Sequence, residues 1–371
     1  MKVLHFFKTF APDQHGGVEN FIRHLCHGTA KQGCENTVLS LSRHPIAELQ
    51  TSSYRLVQVK EDFNLASTSF SLKAISTFSH LAKQADIVHY HFPWPFMDVV
   101  HFLARTGKPS VVTYHSDIVR QQVLLQFYRP LMNAFLGSVD AIAATSPNYL
   151  ESSPTLLRFA KKSCAIPIGL DESLYPKPDP VAVANLKLRF GPRFFLFVGV
   201  LRYYKGLHIL LEALRGTDIP MVIVGAGPIE QSLRVHAARR GLNNVHFLGP
   251  VAEQQKIDLI EASTAVVFPS HLRSEAFGIS LLEAAMMGKP MICTEIGTGT
   301  SFVNKSGSTG LVVQPGNPDA LKGALITLWD DDALCQAFGI AARSRFESVF
   351  TSDLMAQAYK RFYTDVIVKT S

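Results

Sequence analysis

Cysteine is sparse in this chain, and what there is lies scattered. Cys26, Cys34, Cys164, Cys293 and Cys335 make five, an odd number with no C-x-x-C pair, which argues against a disulfide framework or a zinc site and for reduced thiols in the cytoplasm. Long apolar runs are also missing. No uncharged stretch approaches the ~18–20 residues that span a bilayer, and MKVLHFFKTFAP is too short and too interrupted to read as a signal peptide. No dense Lys/Arg stripe or nucleic-acid reader motif occurs, so a nucleic-acid partner is not expected. With 47% hydrophobic and 18% charged residues the composition is that of an ordinary soluble protein.

A chain of 371 residues suggests two domains, each able to bury its own core. Its net charge of +6 is unevenly placed: residues 1–170 hold 16 Lys+Arg against 11 Asp+Glu, a balance of +5, and the rest of the chain carries only +1. A basic N-terminal half fits an anionic partner there, such as a membrane surface or a pyrophosphate-linked molecule.

The stretch VVFPSHLRSEAFGISLLEAAMMGKP, from Val266 to Pro290, organises the remainder. A short apolar run ends at Pro269-Ser270, a polar loop holds Arg273 and Glu275, and Gly278 leads into a strongly helical segment. The start of a helix is an anion site, because its first N–H groups are unpaired and its dipole is positive there. Glu283 lies about one and a half turns into that helix at ~3.6 residues per turn. Two carboxylates beside a helix N-terminus suit a phosphorylated sugar, with oxygens for hydroxyls and N–H groups for phosphate. By spacing alone, two incidental glutamates on a buried helix fit as well.

The string PS…SEAFG…LLEAAMMGKP resembles the E-x7-E segment of retaining GT-B glycosyltransferases of family 4. That resemblance implies an α/β fold of two Rossmann-like, doubly wound parallel-sheet domains facing across a cleft. It places Glu275 on sugar hydroxyls and Glu283 on the nucleotide ribose, with Ala276, Phe277, Gly278 and Ile279 also on the donor side. The two glutamates are not expected to act as a glycosidase pair, which needs carboxyls ~5–10 Å apart about the scissile bond.

Along the chain, apolar runs alternate with helical patterns, as a parallel doubly wound sheet requires. Val3–Phe7 reads as the first strand, and Gly16-Gly17 opens a helix reaching Lys31. Paired glycines before a helix allow close approach of a phosphate, or simply make a tight turn. GGVENFIRHL resembles the family's opening, in which these glycines contact the donor diphosphate. Thr37–Leu41 is a second strand. FSLKAISTFSHLAKQ sets Phe70, Ile75, Phe78 and Leu81 near one helical face, and Ala85–His91 is a strand with His89 and His91 on one side. Two histidines two apart suggest a metal pair, but no third ligand stands at metal spacing. The aromatic run FPWPFMDVVHFL follows at a strand end, well placed to line an acceptor pocket. His115, just past the Pro109–Tyr114 strand, resembles the family's T-x-H histidine, which reaches the sugar or supports the acceptor. Residues 120–137, flanked by Arg120 and Arg129, form an aromatic amphipathic stretch expected to break at Pro130, either core or membrane-facing.

IPIGLDESLYPKPDP (166–180), with four prolines, marks a linker and resembles the family's hinge, with Ile168 replacing the usual Asn. Phe194–Val198 restarts the strand pattern. The segment GVLRYYKG resembles G-R-L…K-G: Lys205 matches directly, Val200 stands at the usual arginine position, and Arg202 is a displaced candidate. Cations beside a helix start are what a departing nucleoside diphosphate needs. Met221–Val224 runs into Gly225-Ala226-Gly227-Pro228. Glu230 stands where a dinucleotide fingerprint requires its third glycine, so the turn is read instead as the family's donor-side VGxGP. In the segment starting at Val245, backbone near Val251 is expected to face the base. ICTEIGTGTSFVN reads as a strand and a glycine-rich loop, Gly310–Pro315 as a closing strand, Asp330–Asp332 as a helix cap, and the last 25 residues as one amphipathic helix.

The resemblance spans nearly the whole chain and implies three parts: an acceptor-side domain (1–168), a donor domain (169–345) and a terminal helix (346–371) crossing back to the first. The implied activity is same-face transfer of a hexose from a nucleotide sugar, with mannose from GDP-mannose first. A UDP-sugar or GDP-6-deoxyhexose is the alternative donor. The acceptor would be a lipid-pyrophosphate-linked saccharide of O-antigen or lipopolysaccharide assembly, met at the cytoplasmic face of an anionic membrane by peripheral contact. His115, Glu275 and Lys205 are the expected catalytic residues, with no cofactor and no obligatory metal. A sugar-nucleotide epimerase of the same fold and a non-catalytic sugar-binding protein are the rival classes.

Overall fold

A computed structural model of the chain describes residues 1–13, 16–65, 68–118 and 122–370. Arg120 lies outside the described residues. The chain divides into two compact units, Met1–Leu170 with Thr351–Ser371, and Asp171–Phe350.

The first unit is built on β1 (Lys2–Phe6), β2 (Glu35–Ser42), β3 (Leu49–Gln50), β4 (Arg55–Lys60), the small hairpin β5 (Phe63–Leu65) and β6 (Thr68–Phe70), β7 (Ile87–Phe92), β8 (Ser110–Tyr114), β9 (Ala141–Ala144) and β10 (Ser163–Ala165). Eight of these form one sheet in the order β10-β9-β8-β7-β1-β2-β4-β3, parallel except where β3 turns back along β4. All six residues of β7 are buried, as a strand covered by helices on both faces demands. The strand order reverses beside β1, so the loops after β1 and β7 flank the switch point where open α/β sheets bind ligands. The helix Gly17–Lys31 packs Phe21, Ile22, Leu25 and Cys26 inward, and Leu72–Gln84 buries Ala74, Phe78, Leu81 and Ala82.

The second unit holds β11 (Phe195–Val198), β12 (Met221–Val224), β13 (Val245–Gly249), β14 (Ala265–Phe268), β15 (Met291–Thr294) and β16 (Gly310–Val313). Their order, β13-β12-β11-β14-β15-β16, is the 3-2-1-4-5-6 arrangement of a Rossmann sheet, with its switch point between β11 and β14.

Three local expectations are corrected. The helix Gln122–Ser138 continues through Pro130; its apolar face, with Met132, Phe135 and Leu136, is held in the core, and that burial outweighs the lost backbone bond. The loop expected after β15 contains a helical turn, Gly299–Val303. The terminal segment is two helices, Asp332–Val349 and Ser352–Thr370. They are parted at Thr351, which pairs with Leu170 in a parallel bridge while Ser352 N–H donates to the Leu170 carbonyl at 2.8 Å. Asp331 caps the former helix by accepting from Leu334 N–H. The proline-rich 166–180 stretch is ordered by its own caps: Asp171 holds a short turn at Glu172–Leu174, and Asp179 starts the helix Pro180–Phe190.

Candidate active site

In the second unit, the polar side chains cluster at the carboxyl ends of β11 and β14, the switch-point strands. After β11 the chain passes Gly199 and Arg202 into a short turn, Tyr203–Lys205, and then the helix Leu207–Ala213. After β14 it forms the Pro269–Gly278 loop and the helix Ile279–Met286. The two loops are stitched together. His271 N–H donates to the Tyr204 carbonyl at 2.9 Å, and Ser280 Oγ donates to the Val198 carbonyl at 2.9 Å. Gly206 (φ 71°) brings its Cα against the Pro269 carbonyl, where a Cβ would collide.

This stitching sets Lys205 Nζ on Glu275 Oε2 in a buried ion pair. Ser270 Oγ donates to the same oxygen at 3.3 Å, and the ammonium rests over the Phe268 ring, 4.4 Å from its centroid. Gly278, at φ 92°, is the residue before the helix and carries no side-chain cap. Among the described residues no partner exists for the backbone N–H groups of Ala276, Phe277, Gly278, Ile279 or Ser280. The two loops together offer a cation from one and a carboxylate with a row of free donors from the other, able to hold an anion and hydroxyls together.

Glu283 is not part of that cluster. Its Oε1 accepts from Lys256 Nζ at 2.6 Å and from Tyr175 Oη at 3.4 Å. Burial raises the Glu283 carboxyl above its usual range, opposed by the Lys256 charge. Burial also acts to lower Lys256, but attraction to Glu283 and Glu253 outweighs it and the net shift is upward. We take the pair as ionised, since 2.6 Å between ammonium and carboxylate favours both charges. Arg202 and Val200 are both exposed, and Arg202 has no ion-pair partner among the described residues. Gly225 and Gly227 serve the fold: a Cβ on either would collide with backbone of Gly199 or Leu201. Val251 lies just past β13, half-buried against the cluster that holds Val222, Val224 and Ile257.

The remaining expected residues lie in the first unit. Gly16 caps and Gly17 opens the helix to Lys31. Glu19, unassigned from sequence although it stands in the GGVE string, folds back so that its Oε2 lies against Gly16, and Thr9 Oγ1 donates to its Oε1 at 2.5 Å. His115 follows β8 and is buried beneath the edge of Phe21, with ring centroids 4.9 Å apart. His91 Nδ1 lies 3.2 Å from His115 Nε2, and His5 Nδ1 lies 3.2 Å from His91 Nε2. His5 supplies the third histidine that the sequence lacked at metal spacing: ring nitrogens of His5, His89 and His91 lie within 4.8 Å of one another. All six of those nitrogens already have hydrogen-bond partners, His89 bonding to Tyr363 Oη and Thr113 Oγ1 at 2.7 Å each. Burial holds His115 down to about 3 and His5 to about 4, so both rings are neutral at pH 7.

Fold and site together define an α/β protein of two Rossmann-like units, the second with a polar cluster at the carboxyl ends of its switch-point strands. Residues 15–174 match the model for Glycosyltransferase Family 4, and residues 183–345 that for glycosyl transferases group 1. D-rhamnosyltransferase WbpZ of Pseudomonas aeruginosa is 54% identical over 353 residues, 95% of this chain and 93% of that one. O-antigen chain mannosyltransferase C of Escherichia coli is 46% identical over the full length of both. Among solved structures, a sucrose-phosphate synthase from Thermosynechococcus elongatus matches with a TM-score of 0.81 over 99% of each chain at 20% identity, a likeness of fold alone. Anabaena HepE, crystallised with UDP and glucose, matches with a TM-score of 0.77 at 20% identity over 98% of this chain and 99% of that one. The chain belongs to the family 4 glycosyltransferases of the GT-B fold. It is an enzyme, and no helix among its described residues is long and apolar enough to cross a membrane.

Proposed function

We propose that this enzyme transfers a manno-configured hexose from a GDP-sugar, with retention, to a hydroxyl of a lipid-pyrophosphate-linked saccharide in O-antigen assembly. Mannose is the first choice and its 6-deoxy counterpart the second, since the relatives named above are a mannosyltransferase and a D-rhamnosyltransferase. The observation that carries the reading is the buried Lys205–Glu275 pair beside the free amides of Ala276–Ser280, at the switch point of the Rossmann sheet. An ammonium and fixed N–H donors stabilise negative charge as it collects on the departing diphosphate, at no reorganisation cost. Glu275 orients the sugar hydroxyls while its charge holds Lys205 in place.

In this reading the second unit holds the donor, Arg202 swings onto the phosphates, and Glu283 receives the ribose; Gly16 and Gly17 keep the diphosphate-contacting role that the family resemblance gives them. His115 meets a hydroxyl of the transferred sugar or of the acceptor. The basic first unit faces anionic lipid from the cytoplasmic side, and no metal is required.

The test is a thermal-shift panel of GDP, UDP, ADP and their sugars, followed by transfer with and without EDTA. A ligand at ~100 times its Kd stabilises the fold by roughly 2.7 kcal/mol. GDP and GDP-mannose are expected to raise the melting temperature and UDP to leave it unchanged, with transfer insensitive to EDTA. A shift with UDP alone overturns the donor, and no shift with any nucleotide overturns the donor site.

A further inference from the structure

Behind His115, which follows β8, a row of buried side chains runs back through the first unit's sheet: His91, His5 and Asn36, from β7, β1 and β2 in turn. Each link is a single hydrogen bond, so the proton positions can be followed from the far end. Asn36 Nδ2 donates to the carbonyls of Cys26 at 3.0 Å and Ser53 at 3.1 Å. Those two acceptors fix which way the amide faces, because the flipped amide would set Oδ1 against both carbonyl oxygens. Its Oδ1 therefore faces His5 Nε2, 3.3 Å away, with the Thr29 hydroxyl 3.2 Å from the same oxygen. A carbonyl oxygen only accepts, so His5 carries its proton on Nε2 and presents a bare Nδ1. His91 must then donate from Nε2 to His5, which leaves His91 Nδ1 bare, and His115 must donate from Nε2 to His91. One anchored amide decides three tautomers.

We propose that Asn36, His5 and His91 are positioning residues that hold His115 as the Nε2–H tautomer, so that its Nδ1 stands as a hydrogen-bond acceptor for a substrate hydroxyl. The inference rests on the reading that His115 meets the donor sugar or the acceptor saccharide. Nδ1 has no partner among the described residues, as an acceptor kept for a ligand requires. The other tautomer would present an N–H at Nδ1, which cannot accept from a hydroxyl and gives nothing to an oxygen as it loses its proton. Burial keeps the whole row neutral, since each of the three rings lies below its ordinary value. His89 stands outside the row, tied instead to Thr113 and to Tyr363 of the terminal helix.

The experiment reads proton positions directly, by two-bond proton–nitrogen correlation spectra of the full chain labelled with 15N-histidine. His5, His91 and His115 are expected to be neutral Nε2–H rings at pH 7. A His115 found as Nδ1–H, or as a mixture, overturns the inference whatever happens to activity. In His5→Phe, His91 loses its acceptor and avoids a buried orphan N–H by donating from Nδ1 instead, which drives His115 toward Nδ1–H. The transfer kcat is then expected to fall about fivefold, the worth of one hydrogen bond, while the nucleotide-induced thermal shift stays as in the parent. A folded His5→Phe with His115 still Nε2–H and kcat unchanged overturns the relay; should that variant not fold, the parent spectrum decides alone. His115→Ala separates this outcome from the functional assignment. Normal transfer in that variant sinks the role of His115 in substrate binding, whereas the spectra report the tautomer independently of it.

Discussion

Lys205 and Glu275 keep only 11% of their side-chain surface in contact with solvent. At that depth a pair contributes little net stability, but removing one partner strands the other charge, at a cost of about 3–5 kcal/mol. Glu275→Ala is therefore expected to lose turnover by about two to three orders of magnitude and to unfold at lower urea. Lys205→Met combined with Glu275→Leu should recover most of that stability and none of the turnover, since no charge is left to strand. Near-normal turnover in Glu275→Ala would remove its assignment to the reaction. Glu275 and Lys205 were singled out from the strings around them, but their ion pair joins residues 70 apart in the chain. Lys256 was not: it stands three residues after Glu253, a spacing that speaks only of a helix-surface pair, and its contact with Glu283 crosses 27 residues of chain.

At the scale of elements, the switch-point loops work because turns after neighbouring strands come closer than side chains allow. Gly225, at φ 124° after β12, donates its N–H to the Gly249 carbonyl at 2.8 Å and presses its Cα on the Gly199 carbonyl. Gly241, at φ 66°, has nothing within 4 Å of where a Cβ would stand. The two glycines thus separate backbone strain from collision. Gly241→Ala is expected to cost about 1–2 kcal/mol. Gly225→Ala must add a clash with fixed backbone, displacing the Gly199 turn that leads to Lys205, and should melt well below Gly241→Ala with weakened nucleotide binding. Equal melting temperatures would show that the turns tolerate separation. Most elements were legible because each carries its own period and punctuation: Met221–Val224 and Ala265–Phe268 begin and end where their apolar runs do. The helix through Pro130 was not, since a local rule for proline knows nothing of the core that Phe135 and Leu136 enter on the same helix.

For the whole molecule, four of the buried histidines in the first unit set how stability responds to acid. His5, His89, His91 and His115 are all held below their ordinary value, chiefly by burial. The native state stays uncharged at these rings while the unfolded chain takes up protons below ~pH 6.5. The unfolded state then binds more protons, so stability is fullest above about pH 6.5 and is lost as pH falls toward about 4 for His5 and about 3 for His115. Each ring costs about 1.4 kcal/mol per pH unit across that window. Urea midpoints are expected to drop clearly between pH 7.5 and pH 5.5, with signals from the first unit, such as Trp94, leading the loss. Equal midpoints at the two values would contradict the burial of these rings as neutral groups.

The sequence by itself determined the alternation of strand and helix, the two doubly wound sheets, and the Lys205 and Glu275 loops, because period, turn chemistry and short motifs are local properties of a chain. Tertiary structure alone decided that His5 and Asn36 stand behind His115, and that Tyr363 reaches His89 across 274 residues. It decided too that the terminal segment, expected as one helix crossing back to the first unit, breaks at Thr351, where its chain bridges to Leu170. Those choices depend on which side chains meet once the sheet is laid out strand beside strand. His5 and His91 share a hydrogen bond only because β1 and β7 pair in register, His5 opposite His89.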